Sequence, residues 1–562
     1  MSETTTVGGY LAERLHQIGM EHFFTVPGDY NLTLLDELLK NPDLEMVGCC
    51  NELNAGYAAD GYARATGGPA AAVVTFSVGG LSLINAVAGA YAEDLPLIAI
   101  SGGPNSNSLA DNELLHHTLG EVSYQYQRDA YSQVTVDAVI VQHPAEAPEQ
   151  IDHALEVALA FRKPVYLEIA CNIAGATTSA PQPRTFAGLP KSDPDSLEAA
   201  VSHAVEVLSG AVKPVLVGGV KLRSFDAQDA FADLAHASQY ATATMPNAKG
   251  FYPESSLGHM GTYWGTVGTP GCGEIVESAD MVVYAGATFT DYTTVGHSTL
   301  LSEAKTIMAG PDAVDIAGEH YGRVALADFL ATLARRVEPN EASRIGYDRV
   351  REDAPILVPG SADTPLTTRQ LFSRIQSMLG SDTAVIAETG DSWFNGMGLA
   401  LPEGSRFEIQ MQYGSIGWSV GATLGYALGD PDHRAVALIG DGSFQLTAQE
   451  VSTMIRQGLN PILFVINNGG YTIEVEIHDG PYNTIKNWDY AGLMKVFNAD
   501  DGEGWGTRAT TEGELDDAIA EALKRSAPCL IEVAIDRDDC SKALLEWGGH
   551  VAVNNGRPHR SS

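Results

Sequence analysis

Short uninterrupted apolar runs of strand length, recurring between helix-forming segments, constrain the fold of this chain more than any other feature. They are AAAVVTF (70–76), PLIAIS (96–101), KPVYLEIA (163–170), KPVLVGG (213–219), MVVYAGA (281–287), TAVIAE (383–388), AVALIG (435–440), PILFVIN (461–467) and PCLIEVAI (528–535). Such runs, alternating with helices, are what a parallel sheet covered on both faces requires. The predicted class is α/β, with mostly parallel sheets covered by helices.

At 562 residues the chain exceeds a single core, and a prior of roughly 150 residues per domain points to three or four units. The segment at 151–170, IDHALEVALAFRKPVYLEIA, aligns without gaps to LDDAIAEALKRSAPCLIEVA at 515–534, with identity at seven of 20 positions. Helix, proline-containing turn and strand follow in the same order in both, so the first and last domains are predicted to be related. Proline-rich, polar stretches at 177–196 and 351–367 read as linkers. Three domains follow: 1–185, 195–345 and 355–562. The middle one carries few clustered catalytic residue types and reads as a packing domain.

Basic residues number 33 and acidic residues 71, a net charge of −38. A surface this negative repels phosphate backbones and anionic membranes, so neither nucleic acid nor membrane is an expected partner. The acidity suits adaptation to high salt and an ordinary acidic enzyme equally. Six scattered cysteines, none in a C-x-x-C pair, argue against a disulfide framework and thiolate metal sites. The start, MSETTTVGGYLAERL, lacks a basic segment followed by an apolar one. The long uncharged stretch 65–92 contains Ser, Thr, Asn and several glycines, which suits a strand, a turn and a buried helix. A cytoplasmic protein is expected.

The chemistry begins where AVALIG ends, at Gly440-Asp441-Gly442. The chain contains neither a P-loop nor the Gly-x-Gly-x-x-Gly fingerprint. After 24 intervening residues, one helix plus one strand, PILFVIN ends in Asn467-Asn468-Gly469-Gly470. Ligands of parallel sheets bind beyond the carboxyl ends of strands, so adjacent strands would carry Asp441 and Asn468 to one edge. A carboxylate, an amide oxygen and a backbone carbonyl are hard donors suited to Mg²⁺, which commonly holds phosphate oxygens as well. A diphosphate is the expected ligand.

Gly-Asp-Gly with Asn-Asn at this spacing resembles the motif of thiamine diphosphate-dependent enzymes. With TVPGDYN (25–31), CCNELNAGYAADGYAR (49–64), LLHHTLG (114–120), VIAETGDSWFN (385–395), GSIGWSVGA (414–422), NNGGYTIEVEIHDGPYN (467–483) and DDCSKALLEWG (538–548), the whole chain resembles the pyruvate decarboxylases of bacterial type. The resemblance implies decarboxylation of pyruvate to acetaldehyde and CO₂ through a thiamine ylide and an enamine. Glu52 would protonate the pyrimidine ring from a poorly solvated site, and Ile416, in Gly414-Ser415-Ile416, would prop the cofactor in its bent shape.

By the same resemblance Thr389 meets the pyrimidine edge. Asp391, Ser392, Gly442, Ser443 and the segment Asn468, Gly469, Gly470, Tyr471, Thr472, Ile473 line the diphosphate. Asp441, Asn468 and the Gly470 carbonyl ligate the metal. Asp29, His116, His117 and Glu474 form a proton relay. Tyr292, Trp393, Ile473 and Ile477 shape a pocket for a small 2-oxo acid, with indolepyruvate or phenylpyruvate decarboxylation as the alternative. Because Glu52 and Asp441 lie in different domains, the resemblance also implies a homodimer or homotetramer with active sites between subunits. Tyr413 and Gly469 depart from the bacterial pattern at the cofactor edge.

Overall fold

Apolar side chains on both faces of a strand are stable only beneath helices, and the chain supplies those helices between successive runs. In the computed structural model, residues 4–299, 302–352 and 360–557 are described. Contacts divide them into two compact units: one takes its residues from 1–189, 417–431 and 447–459, the other from 190–416, 432–446 and 460–562.

The first unit contains a six-stranded parallel sheet, in spatial order Glu45–Gly48, His22–Thr25, Ala70–Thr75, Leu97–Gly103, Val165–Ala170 and Asp137–Val141. In chain order these are the second, first, third, fourth, sixth and fifth strands. All residues of Ala70–Thr75 and Leu97–Gly103 are buried. Helix Glu52–Thr66 starts where the Asn51 side chain accepts from the Asn54 N–H at 2.8 Å and stops at left-handed Gly67.

That helix packs against Trp418–Gly429 at a separation only glycine permits. A Cβ on Gly61 would fall 2.1 Å from the Ala422 carbonyl oxygen, and one on Gly425 would fall 1.7 Å from that of Ala58. Asp60 Oδ1, buried, accepts from Arg64 Nε at 2.6 Å and from Trp418 Nε1 at 2.8 Å, which joins the two helices across the close seam.

The second unit contains two sheets. One is again six-stranded and parallel: Arg406–Glu408, Thr383–Ala387, Arg434–Gly440, Ile462–Asn467, Cys529–Ala534 and Trp505–Ala509. Its chain order is also second, first, third, fourth, sixth, fifth, and the aligned segments 151–170 and 515–534 each end in the sixth strand. The relation between first and last domains is therefore one of topology as well as of sequence. The other sheet runs His259–Thr262, Ala241–Thr244, Pro214–Gly218, Met281–Ala285, Thr306–Ala309, Ala313–Ile316 and Glu319–Gly322, with its last two strands antiparallel. The class is α/β, as expected.

The stretch 177–196 is more ordered than a linker. Thr177–Ser179 pairs with Thr4–Thr6, and helix Pro194–Ser209 begins inside it with Asp193 as N-cap. Of the second predicted linker, 351–367, residues 353–359 lie outside the described part. Among the described residues no helix is long and apolar enough to cross a membrane.

Candidate active site

In the last sheet, the first and third strands of the chain are neighbours although their helices leave in opposite directions in the strand order, which opens a crevice at their carboxyl ends. Gly440 pairs with Ile466 in the adjoining strand, so Asp441 and Asn468 reach the same edge, as the spacing predicts. Asp441 is fully buried; its two oxygens accept from the N–H groups of Gly442 at 2.7 Å and Gly469 at 2.6 Å. Burial pushes its carboxyl up to about 6, against the opposing pull of those backbone donors.

A cavity of about 330 Å³ opens beside it. Thr389, Ser392 and Ile416 line one side, and Gly442, Ser443, Asn468 and Gly470 another, continuing through Tyr471, Thr472, Ile473 and Glu474. Two glycines shape this wall. A Cβ on Gly442 would fall 2.4 Å from the Tyr471 ring, and one on Gly470 would fall 2.2 Å from the Asn483 carbonyl oxygen. Gly390, which precedes helix Asp391–Met397, has φ 132°, ψ −156°, open only to glycine.

The donor set fits a divalent cation. Asn468 Nδ2 donates to Thr472 Oγ1 at 2.5 Å, which turns Oδ1 the other way, and that oxygen is buried without a hydrogen-bond partner among the described residues. An unmatched buried acceptor next to a buried carboxylate is stable once a cation joins them. Asp441, Asn468 and the Gly470 carbonyl therefore suit Mg²⁺, and the glycine-lined wall suits its phosphate ligands.

Asp391 lines the cavity but its carboxylate is committed elsewhere. It accepts from the Ser541 N–H at 3.0 Å and from the Ser541 hydroxyl, while burial pushes its carboxyl up. These bonds tie the start of helix Lys542–Asn555 to the wall. Gly414 and Ser415 precede Ile416; the Ser415 N–H donates to the Gln410 side chain at 3.0 Å.

Trp393, Tyr292 and Ile477 are not among the lining residues. Trp393 is fully buried behind the wall, and Tyr292 packs edge-on against it at 6.2 Å and against Trp547 at 4.8 Å. The Tyr292 carbonyl accepts from Trp264 Nε1 at 2.7 Å and Trp547 Nε1 at 3.2 Å, so this aromatic group is rigid. Ile477, half-buried, packs on the same core. Sequence reasoning missed Thr368, Phe372 and Asp539, which also line the cavity. Asp539 accepts from the Thr368 N–H at 2.6 Å. Its signal is its place in the tail motif at 538–548.

The remaining candidates lie in the first unit. Glu52 opens its helix, and the turn before it is held by buried Glu450, which accepts from the Cys50 N–H at 3.1 Å and Asn54 Nδ2 at 2.8 Å. Gly79 leaves room for the Glu52 carboxylate, since a Cβ there would fall 3.3 Å from Oε1. The chain by itself buries Glu52 only in part, less than a poorly solvated proton donor requires.

Asp29, His116 and His117 converge as predicted. His116 Nε2 stands 2.6 Å from one Asp29 oxygen and His117 Nε2 3.6 Å from the other. Tyr30 stacks on His116 at 4.9 Å, and burial, followed by the Asp29 charge, pushes its hydroxyl up to about 12, so it stays protonated.

This architecture and site belong to the class of thiamine pyrophosphate enzymes. Residues 5–127 match the thiamine pyrophosphate enzyme N-terminal TPP binding domain, 201–336 the central domain and 388–533 the C-terminal TPP binding domain. Pyruvate decarboxylase 3 of Arabidopsis thaliana is 53% identical over 99% of this chain and 95% of its own length. Pyruvate decarboxylase 2 of Oryza sativa subsp. indica is 53% identical (98% and 92%), and pyruvate decarboxylase 1 of Pisum sativum 52% identical (98% and 94%). The chain belongs to the pyruvate decarboxylase family. These relatives are plant proteins, so the bacterial-type qualifier finds no support.

Proposed function

We propose that the protein is a carboxy-lyase that converts pyruvate to acetaldehyde and CO₂ with thiamine diphosphate and Mg²⁺. The observation that carries this reading is near-full-length identity to pyruvate decarboxylases, coupled to a cavity whose unmatched Asn468 oxygen and buried Asp441 suit a metal-bound diphosphate. When bound, thiamine diphosphate supplies an electron sink at its thiazolium ring.

The chain's own residues then have distinct tasks. Asp441, Asn468 and Gly470 hold the cation, and Gly442 and Ser443 receive phosphate oxygens. Thr389 and Ile416 orient the pyrimidine, and Glu52 holds the proton that this ring requires. Asp29, His116, His117 and Glu474 deliver and remove protons at the substrate-derived carbon and oxygen. Tyr292 and Trp393 limit the pocket from behind its wall, together with Ile473 and Ile477, so a methyl group is favoured over an aromatic ring.

The candidate residues divide between the two units, which supports a homodimer or homotetramer in which one copy completes the site of another. We place domain boundaries at 1–185, 195–345 and 355–562, to be tested by limited proteolysis. The six free cysteines support a reducing, cytoplasmic setting. The deciding experiment incubates purified protein with cofactor and Mg²⁺, comparing pyruvate with phenylpyruvate and indolepyruvate. Acetaldehyde from pyruvate is the expected result; preference for an aromatic acid would overturn the substrate assignment. Sedimentation analysis tests the assembly, and an active monomer would refute it.

A further inference from the structure

We propose that Tyr126 and Ser77 are positioning residues that set the placement of His117 for proton transfer. The inference rests on reading Asp29, His116 and His117 as the proton-handling groups. Between Gly103 and Tyr126 the described chain contains neither helix nor strand, so the histidine-bearing turn needs side chains to fix it.

Ser77 and His117 both hold left-handed backbone, with φ 59° and 62°. Residues with a side chain adopt that region when their surroundings impose it. One hydroxyl meets both: Tyr126 Oη stands 2.9 Å from Ser77 Oγ and 3.1 Å from the His117 carbonyl oxygen. A carbonyl can only accept, so Tyr126 donates its single proton to His117 and accepts the proton of Ser77.

Ser77 is anchored in turn to the sheet interior. Its N–H donates to the side-chain oxygen of Gln127, which is fully buried. Gln127 Nε2 donates to Tyr166 Oη at 2.6 Å and Ser101 Oγ at 3.1 Å, and Tyr166 donates to buried Glu168 at 2.6 Å. Gly80 makes room for the amide, because a Cβ there would fall 2.4 Å from Gln127 Nε2. A continuous hydrogen-bond network, buried from Glu168 to Ser77 and half-buried at Tyr126, thus reaches the backbone of His117. The Tyr126 ring packs edge-on against Phe76 at 5.6 Å, so its hydroxyl can be removed while the packing stays.

The test uses the full-length protein loaded with thiamine diphosphate and Mg²⁺. Tyr126→Phe is expected to lower kcat about tenfold and to change the pH profile of kcat, with the KM for pyruvate, cofactor affinity and Tm unchanged. Ser77→Ala is expected to move kcat and the pH profile in the same direction by less. The double variant Tyr126→Phe/His117→Ala is expected to lose no more than His117→Ala alone, because the hydroxyl acts through that residue. A Tyr126→Phe enzyme with wild-type kcat and pH profile, losses that multiply in the double variant, or a Tyr126→Phe protein that loses its fold would each overturn the proposal. A fully active His117→Ala enzyme would instead refute the proton-handling reading on which it rests.

Discussion

The first and last sheets release the chain at corresponding points, but what they place there differs. After the first strand stands Asp29 in one sheet and the Thr389-Gly390-Asp391 turn in the other; after the third, Ser77 and Gly79 against Asp441 and Gly442; after the fourth, the His116-His117 turn against Asn468–Gly470. In the last sheet Asp441 and Gly442 are buried and the other groups half-buried, and glycines bring bare backbone to the cavity. In the first, Ser77 and Gly79 are buried, but Asp29 and His116 are exposed and His117 is half-buried, with Tyr30 against His116 and Tyr126 bonded to His117. Anchoring a diphosphate calls for fixed N–H groups and a cation, whereas moving protons calls for titratable side chains in defined orientations. On the proposed function one topology would serve both tasks, with the loop chemistry deciding which.

Substitutions can break this comparison. The largest effect is expected from Glu52→Gln, which should lower kcat by about 10³-fold, since general acid catalysis is lost, while leaving Mg²⁺-dependent cofactor binding intact by calorimetry. Unimpaired turnover would remove Glu52 from the chemistry. Asp441→Asn should do the reverse, weakening Mg²⁺-dependent cofactor binding by roughly 100-fold because a neutral amide replaces the buried carboxylate. Equal cofactor affinity in the two proteins would contradict the assigned metal site.

A third test concerns the interior of the first sheet. Burial pushes the Glu168 carboxyl up to about 7, against the hydrogen bond from Tyr166 and the charge of Arg128. A group whose folded value is raised contributes stability that is fully present below its unfolded value near 4.5 and is lost as pH rises through about 7. The wild-type protein should therefore lose stability between about pH 5 and about pH 8, on the order of 3 kcal/mol, relative to Glu168→Gln. Parallel denaturation curves for both proteins across that range would exclude the shift.

The smallest expected effects come from a pair of glycines. A Cβ at Gly28 would fall 2.5 Å from the Thr75 Cβ, and one at Gly442 would fall 2.4 Å from the Tyr471 ring. Each change to alanine should cost about 1–3 kcal/mol of stability through overpacking. Gly442→Ala should in addition weaken cofactor binding, whereas Gly28→Ala, beside Asp29, should slow turnover at unchanged cofactor affinity. Identical functional profiles would mean that the two sheet edges are not specialised for different tasks.

Strands buried on both faces were legible because continuous apolarity leaves them one environment, and Asp441 with Asn468 because one helix plus one strand separates them. Glu45–Gly48 and Asp137–Val141 were not: each is a short edge strand, the first with two exposed residues and only Met46 and Val47 apolar, the second with an apolar stretch of just four residues behind Asp137. The His116-His117 pair was visible as a motif, but not the tyrosines that fix it, since an isolated tyrosine reads the same in a core or a relay.

The amino-acid order by itself determined the α/β class, the repeated first and last domains and the residue types brought to the proposed metal site, because these follow from local periodicity and spacing. Only the tertiary structure decided that the Asp391 carboxylate turns to Ser541, that Trp393 and Tyr292 stand behind the wall, and that one hydroxyl joins Ser77 to His117. Hydrogen-bond partners and burial depend on residues far apart along the chain, and no local pattern encodes which of them will meet.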